Sequence, residues 1–132
     1  KAKLDSKNVG IVFSNSASSL DTDRKHQNSI NDSNNYFPSP AIFVYTLPNI
    51  GIGEISIRHG FKSENAFFIF EKFNADFHQK YESILIKNDK CESVLSGWVN
   101  VDKGNYEAFI YLVSKNGTVE HSVKNLLELY KN

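Results

Sequence analysis

Residues 47–60, LPNIGIGEISIRHG, decide how the middle of the chain is read. Pro48 and Asn49 stand side by side as they do at a helix start, a fixed φ next to a capping amide. Gly60 is the residue that ends the element after His59. Between these ends Gly51 and Gly53 each cost about 1 kcal/mol against Ala in a helix interior. Ile50, Ile52, Ile55 and Ile57 make no clean helical stripe, and alternation at 50 and 52, then 55 and 57, suits strands too. Periodicity alone leaves the element open. Two glycines beside the Arg58-His59 pair raise the expectation that something large approaches this backbone closely.

The whole chain bounds the answer further. With 132 residues and 40% hydrophobic content, one domain over 1–132 is expected. About two thirds of the unfolded surface can be buried at that length, so no metal or disulfide staple is required. Lys+Arg and Asp+Glu are both 15, and zero net charge argues against a duplex nucleic-acid binder. Cys91 is the sole cysteine, which rules out an intrachain disulfide and favours a reducing, cytoplasmic compartment. Apolar runs fall far short of the roughly 20 residues of a membrane span, and Lys1–Asn8 is too polar for a signal peptide. The sequence starts at Lys1 and holds no methionine, so it reads as a processed, trimmed or partial form of a longer chain.

Val9–Phe13 is a short β-branched run, a buried strand. Residues 14–35 carry six Ser and five Asn and read as a loop, with a polar surface helix over Leu20–Ile30 capped by Ser19 or Asp21. After Pro38 and Pro40 the stretch AIFVYTL is expected to be extended. Ala66–Phe70 is a continuous apolar run, the pattern of a strand covered on both faces. Phe73, Phe77, Tyr81, Ile84 and Leu85 recur at helical spacing behind Asn74 or Asp76. Val94–Val101 and Tyr106–Val113 form a hairpin about Asp102-Lys103-Gly104-Asn105. Asn116-Gly117 breaks the chain, and Val119, Val123, Leu126, Leu127 and Tyr130 give a last amphipathic helix. Strands alternate with helices up to the closing hairpin, so the class is α/β, a mixed β-sheet flanked by helices.

Extended to LPNIGIGEISIRHGFKSENAFFIF, the opening stretch resembles the nucleophile region of β-ketoacyl synthases (3-oxoacyl-ACP synthases), condensing enzymes of fatty-acid and polyketide assembly. There a Pro-Asn pair opens a helix, a small-residue turn closes it, and a short linker (here FKSE) precedes the strand leading to the catalytic cysteine. VGIVFSNSASSLDTD, CESVLSGWVNV and YEAFIYLV resemble further strands of that family, so the likeness runs from about residue 8 to residue 114. It is nearest to stand-alone ketosynthase N-terminal-like domains of bacterial lipid, polyene and pigment clusters. The resemblance implies a thiolase-like half-domain and pairing through the strand before the nucleophile, in a homodimer or heterodimer. It gives Gly51 and Gly53 a role in tight packing on neighbouring backbone beside an acyl channel; ordinary cap or loop glycines are the alternative.

Three departures qualify what is implied. Counted from Gly60, the nucleophile position falls at Lys72, with Glu71 or Phe73 one residue away, and none is a cysteine. An acyl thioester cannot form there without a thiolate. Nothing in the chain supplies the family's histidine-bearing second half, and Lys1–Asn8 is too short to hold the strand that precedes VGIVF in the family. Cys91, between Lys90 and Glu92, is either a small buried filler or a thiol activated by its lysine neighbour.

His26, His59, His78 and His121 show no metal-ligand spacing and are expected at the surface or at helix caps. Asp21, Asp23, Arg24 and Lys25 read as a solvated helix start. Arg58, His59 and Lys62 form the local basic cluster beside the matched motif, either a wet helix end or a docking point for an acidic acyl carrier protein. Gly-Ile-Gly is not GxGxxG, so no phosphate cradle and no cofactor is implied. Trp98, after Gly97, either fills space that a second half-domain or acyl chain would take or is an ordinary core aromatic. The resulting expectation is a ketosynthase-like protein, non-catalytic alone, that partners a catalytic ketosynthase or an acyl carrier protein. The alternatives are half of a split condensing enzyme and an interaction module that kept only the fold.

Overall fold

The structure is a computed structural model that describes residues 5–34 and 36–132. Lys1–Leu4 of the polar N-terminal stretch and Asn35 of the polar loop lie outside them. Val9–Asn15 (β1) is the central strand, and all seven of its residues are buried. It pairs in parallel with Asn65–Ile69 (β2) on one side and Ser93–Asp102 (β3) on the other. Asn105–Ser114 (β4) runs antiparallel to β3, giving the order β2-β1-β3-β4. The mixed sheet agrees with the class read from the sequence.

The helices are Leu20–Ile30 (α1), Pro40–Val44 (α2), Ile50–His59 (α3), Ala75–Lys87 (α4) and Val123–Lys131 (α5). Side-chain alternation along the strands divides the core in two. Val12, Val94 and Val113 pack with Leu85 of α4, and Trp98 meets Phe73, Ala75 and Leu126 of α5. On the other face Ile11 and Phe13 receive Ile52 of α3. Each such aliphatic side chain contributes about 1.5–3 kcal/mol on burial. In the hairpin Lys103 and Gly104 both have positive φ, 51° and 80°, the pairing whose twist matches its strands.

Several sequence expectations need correction. AIFVYTL is not extended: α2 starts at Pro40, because proline suits the first helical turn and the Ser39 hydroxyl accepts the Ile42 N–H. Ser39, the residue before that proline, has the extended geometry. β2 is not covered on both faces within this chain; it is an edge strand with half-buried and exposed positions. α3 does start after Pro48-Asn49 and stops at Gly60, whose φ of 69° is left-handed, but the Asn49 side chain makes no capping bond. Ser19 likewise stands at the start of α1 without capping it; its hydroxyl meets the Thr46 carbonyl and the Asp23 carboxylate. Phe73 precedes α4, and Val119 lies outside α5, exposed.

The glycines that opened the question pack on nothing here: a Cβ at Gly51 or Gly53 would have no neighbour within 4 Å. Helix propensity therefore decides the outcome of substitution. Gly53→Ala is expected to raise unfolding free energy by about 0.5–1 kcal/mol, read from the urea midpoint. A loss of that size would mean that a second molecule sits on this backbone in solution.

Candidate functional site

α4 places the chemistry. Its first turn is closed by the Asn74 side chain, which accepts the Phe77 N–H at 3.0 Å, and Asp76 and Lys87 sit at the ends that the helix dipole favours. The helix buries Ala75, His78, Glu82 and Leu85 at i, i+3, i+7 and i+10, so half of its inward stripe is polar. Burying His78 and Glu82 completely is costly unless every polar atom is paired.

The pairing is dense. Glu82 Oε1 receives His78 Nδ1 at 3.0 Å and Tyr111 O–H at 2.7 Å, and it also contacts the Ser96 hydroxyl. Its other oxygen receives His121 Nε2 at 2.7 Å. His78 Nε2 lies 2.7 Å from the Ser14 hydroxyl, and Ser96 Oγ is also 2.9 Å from the Val12 carbonyl. Burial alone pushes the Glu82 carboxyl up, but the hydrogen bonds from His121, His78, Ser96 and Tyr111 outweigh it and hold the group below its ordinary value. Burial, then the Glu82 charge, pushes the Tyr111 hydroxyl far up, so it stays a donor.

Ser14, His78 and Glu82 stand in the order of an activated serine nucleophile. Ser14 and His78 have no exposed surface, however, so no substrate carbonyl reaches them. The cluster ties α4 to β1, β3 and β4. This corrects the expectation of surface or capping histidines at position 78. The available signal was Ser14 and Ser96 on the inward face of apolar strands, with His78 and Glu82 one helical turn apart.

Lys72, where the resemblance would put the nucleophile, is exposed in the bend between β2 and α4, as is Glu71, while Phe73 is buried. A cavity of about 430 Å³ lies beside Lys72, bounded by residues 70–76 with Val123 and Leu127 of α5. Cys91 is buried against Val12 and Val94, and burial pushes its thiol up, away from the thiolate form. The filler reading stands for Cys91. Trp98 is 3% exposed within the chain's own core, and its indole N–H donates to Glu107 at 2.9 Å. It too is an ordinary core aromatic.

Arg58 and His59 are exposed in the last turn of α3, where cations complement the helix dipole, and Lys62 follows just beyond, bordering a polar notch with Lys90. Arg24 pairs with Asp102 at 2.5 Å and Lys25 with Asp21 at 2.8 Å, both at the surface. On the α3 face an open apolar groove of about 710 Å³ runs over Phe13, Ile52, Phe67, Val99 and Ile110, with Gly51 on its wall. Among the described residues no group of His, Cys, Asp and Glu is arranged to hold a metal, and no helix is long and apolar enough to cross a membrane.

The sheet in this order, with helices on both faces and a strand-to-helix junction at Phe70–Ala75, is a mixed α/β fold. No family model matches the sequence, and no curated protein matches it. Solved structures do share the fold. The ishigamide ketosynthase/chain length factor matches with a TM-score of 0.72 and 14% identity, over 91% of this chain and 39% of that one. The ketosynthase ApeO in complex with its chain length factor ApeC, from Xenorhabdus doucetiae, matches with a TM-score of 0.62 and 13% identity, over 98% of this chain and 61% of that one. The chain spans less than two thirds of the length of either. Its fold is that of part of these ketosynthase/chain length factor proteins.

Proposed function

We propose that this protein is a non-catalytic ketosynthase-like partner, acting with a cysteine-bearing ketosynthase as a chain length factor does. The observation that carries the reading is Lys72, exposed and without a thiol at the junction where the resemblance puts the nucleophile. The fold shared with ketosynthase/chain length factor pairs supports it. So does the edge position of β2: Phe67, Phe68 and Ile69 stand on a strand with one side unpaired, which a partner strand would complete. Arg58, His59 and Lys62 give an acidic carrier protein a point of electrostatic approach.

Condensation needs a thiolate to hold the growing chain and donors to stabilise charge as carbon dioxide leaves malonyl thioester. An amine at position 72 that attacked a thioester would trap the chain as an amide. The isolated protein is therefore expected neither to condense acyl with malonyl groups nor to release carbon dioxide from malonyl carrier protein. Lys72→Cys is expected to give at most slow self-acylation. Co-expression with a cysteine-bearing ketosynthase from the same genome, followed by size-exclusion chromatography, is expected to yield a stable heterodimer. Carbon dioxide release by the purified wild-type protein alone would overturn the reading. Condensation that appears only when a histidine-bearing second polypeptide is added would replace it with the split-enzyme reading.

A further inference from the structure

α5 is held to the domain by one carboxylate at each end and, between them, by a narrow apolar line in which buried Leu126 and half-buried Val123 and Tyr130 rest on Phe73 and Phe109. At its N-terminal end His121 Nε2 meets Glu82 Oε2 at 2.7 Å, and the Gln79 amide donates to the His121 carbonyl at 3.2 Å. At its C-terminal end the Tyr130 hydroxyl donates to Glu107 Oε1 at 2.7 Å, while Glu107 Oε2 holds the Trp98 indole. Leu126 is the one buried residue of the helix, and Leu127 and Leu129 are exposed. Hollows flank it on both sides, the cavity of about 430 Å³ beside Lys72 and one of about 90 Å³ against Tyr111. The leading segment, residues 115–120, is exposed throughout and includes Gly117, so it can turn without breaking packing.

An element with few buried apolar contacts opens well below the free energy of global unfolding. We propose that α5 is a strap, stapled by Glu82 and Glu107, that lifts as a unit and opens the cavity beside Lys72. Lifting removes Val123 and Leu127 from the cavity wall and uncovers Phe73, Phe109 and the edge of Trp98, the residues that α5 covers. The significance of that cavity rests on the function proposed above, whereas the motion rests on the packing of α5 alone.

Hydrogen exchange read by mass spectrometry on the full chain tests it without any partner. In the wild type, amides 124–131 are expected to share one protection level, at least about tenfold below that of β1 and β3. Tyr130→Phe, which removes one staple and leaves the buried cluster intact, is expected to lower that level by roughly another tenfold with β1 and β3 unchanged. Acrylamide quenching of Trp98 should rise in the same variant. Exchange of α5 in step with β1 and β3 would overturn the proposal. So would protection graded from residue 131 inward, the pattern of end fraying, or a Tyr130→Phe effect spread evenly over the sheet. Failure to find a ketosynthase partner would leave these results unaffected.

Discussion

Glu82→Ala is expected to lower the unfolding free energy by about 3–5 kcal/mol, the usual cost of breaking a buried charged network from one side. The substitution removes the acceptor shared by His78, Ser96, Tyr111 and His121. Of these, His78 and Ser96 have no exposed surface through which water could replace it. A domain stable by only about 5–15 kcal/mol loses a large share of its margin. Glu82→Gln keeps one carbonyl oxygen and the side-chain shape, so it separates loss of charge from loss of an acceptor, and a smaller cost of about 1–3 kcal/mol is expected.

The same residue fixes a pH dependence. Its four hydrogen bonds hold the carboxyl below its ordinary value in the folded state, about 4.3 in an unfolded chain. A depressed folded value means that the unfolded state binds the proton more readily. The stabilisation is therefore complete above that ordinary value and is lost as pH falls through the lower, folded one. Urea midpoints measured from pH 7 down to pH 3 should fall more steeply for wild type than for Glu82→Gln, with the two curves converging at the acid end. Parallel curves would mean that the carboxylate is not the titrating group.

Much of this fold is legible in the sequence because its local signals agree with its tertiary ones. The β1 run, the Asp102–Asn105 turn with its positive-φ pair, and the Asn74 cap each specify locally what packing also requires. The strand over Ala66–Phe70 is a different case. A continuous apolar run signals burial on both faces, but not whether the covering surface belongs to the same chain, and here β2 forms an edge. AIFVYTL failed as a strand because a capping Ser39 and the fixed φ of Pro40 overrode its composition.

The polar cluster was hidden for a further reason. Ser14, His78, Glu82, Ser96, Tyr111 and His121 come from five separate segments, and no two that bond across strands are neighbours in sequence. Only the His78–Glu82 spacing is local, and alone it reads as an exposed helical pair. Lys72 is the opposite case: its significance came entirely from alignment with a motif, and its position in the bend before α4 is what geometry adds.

Gly97→Ala is expected to destabilise by about 3 kcal/mol, at the upper end for overpacking. The reason lies in the backbone. A Cβ at position 97 would stand 2.1 Å from the Phe109 carbonyl oxygen and 3.1 Å from the Ile110 Cα, directly across the β3–β4 ladder. No rotamer change relieves such a contact, since Cβ has no torsion of its own and the clashing atoms are main chain. The two strands must separate, and the separation passes to the neighbouring pair, Trp98 opposite Phe109. That pair belongs to the cluster on which α5 rests, and the Trp98 indole is bonded to Glu107, which also holds Tyr130. A red-shifted Trp98 emission should therefore accompany the drop in urea midpoint, together with faster exchange in α5. Gly53→Ala, with the same added methyl in open space, should move stability the other way. If Gly97→Ala costs less than about 0.5 kcal/mol, a surface-like value, then β3 and β4 do not approach as closely as this register requires.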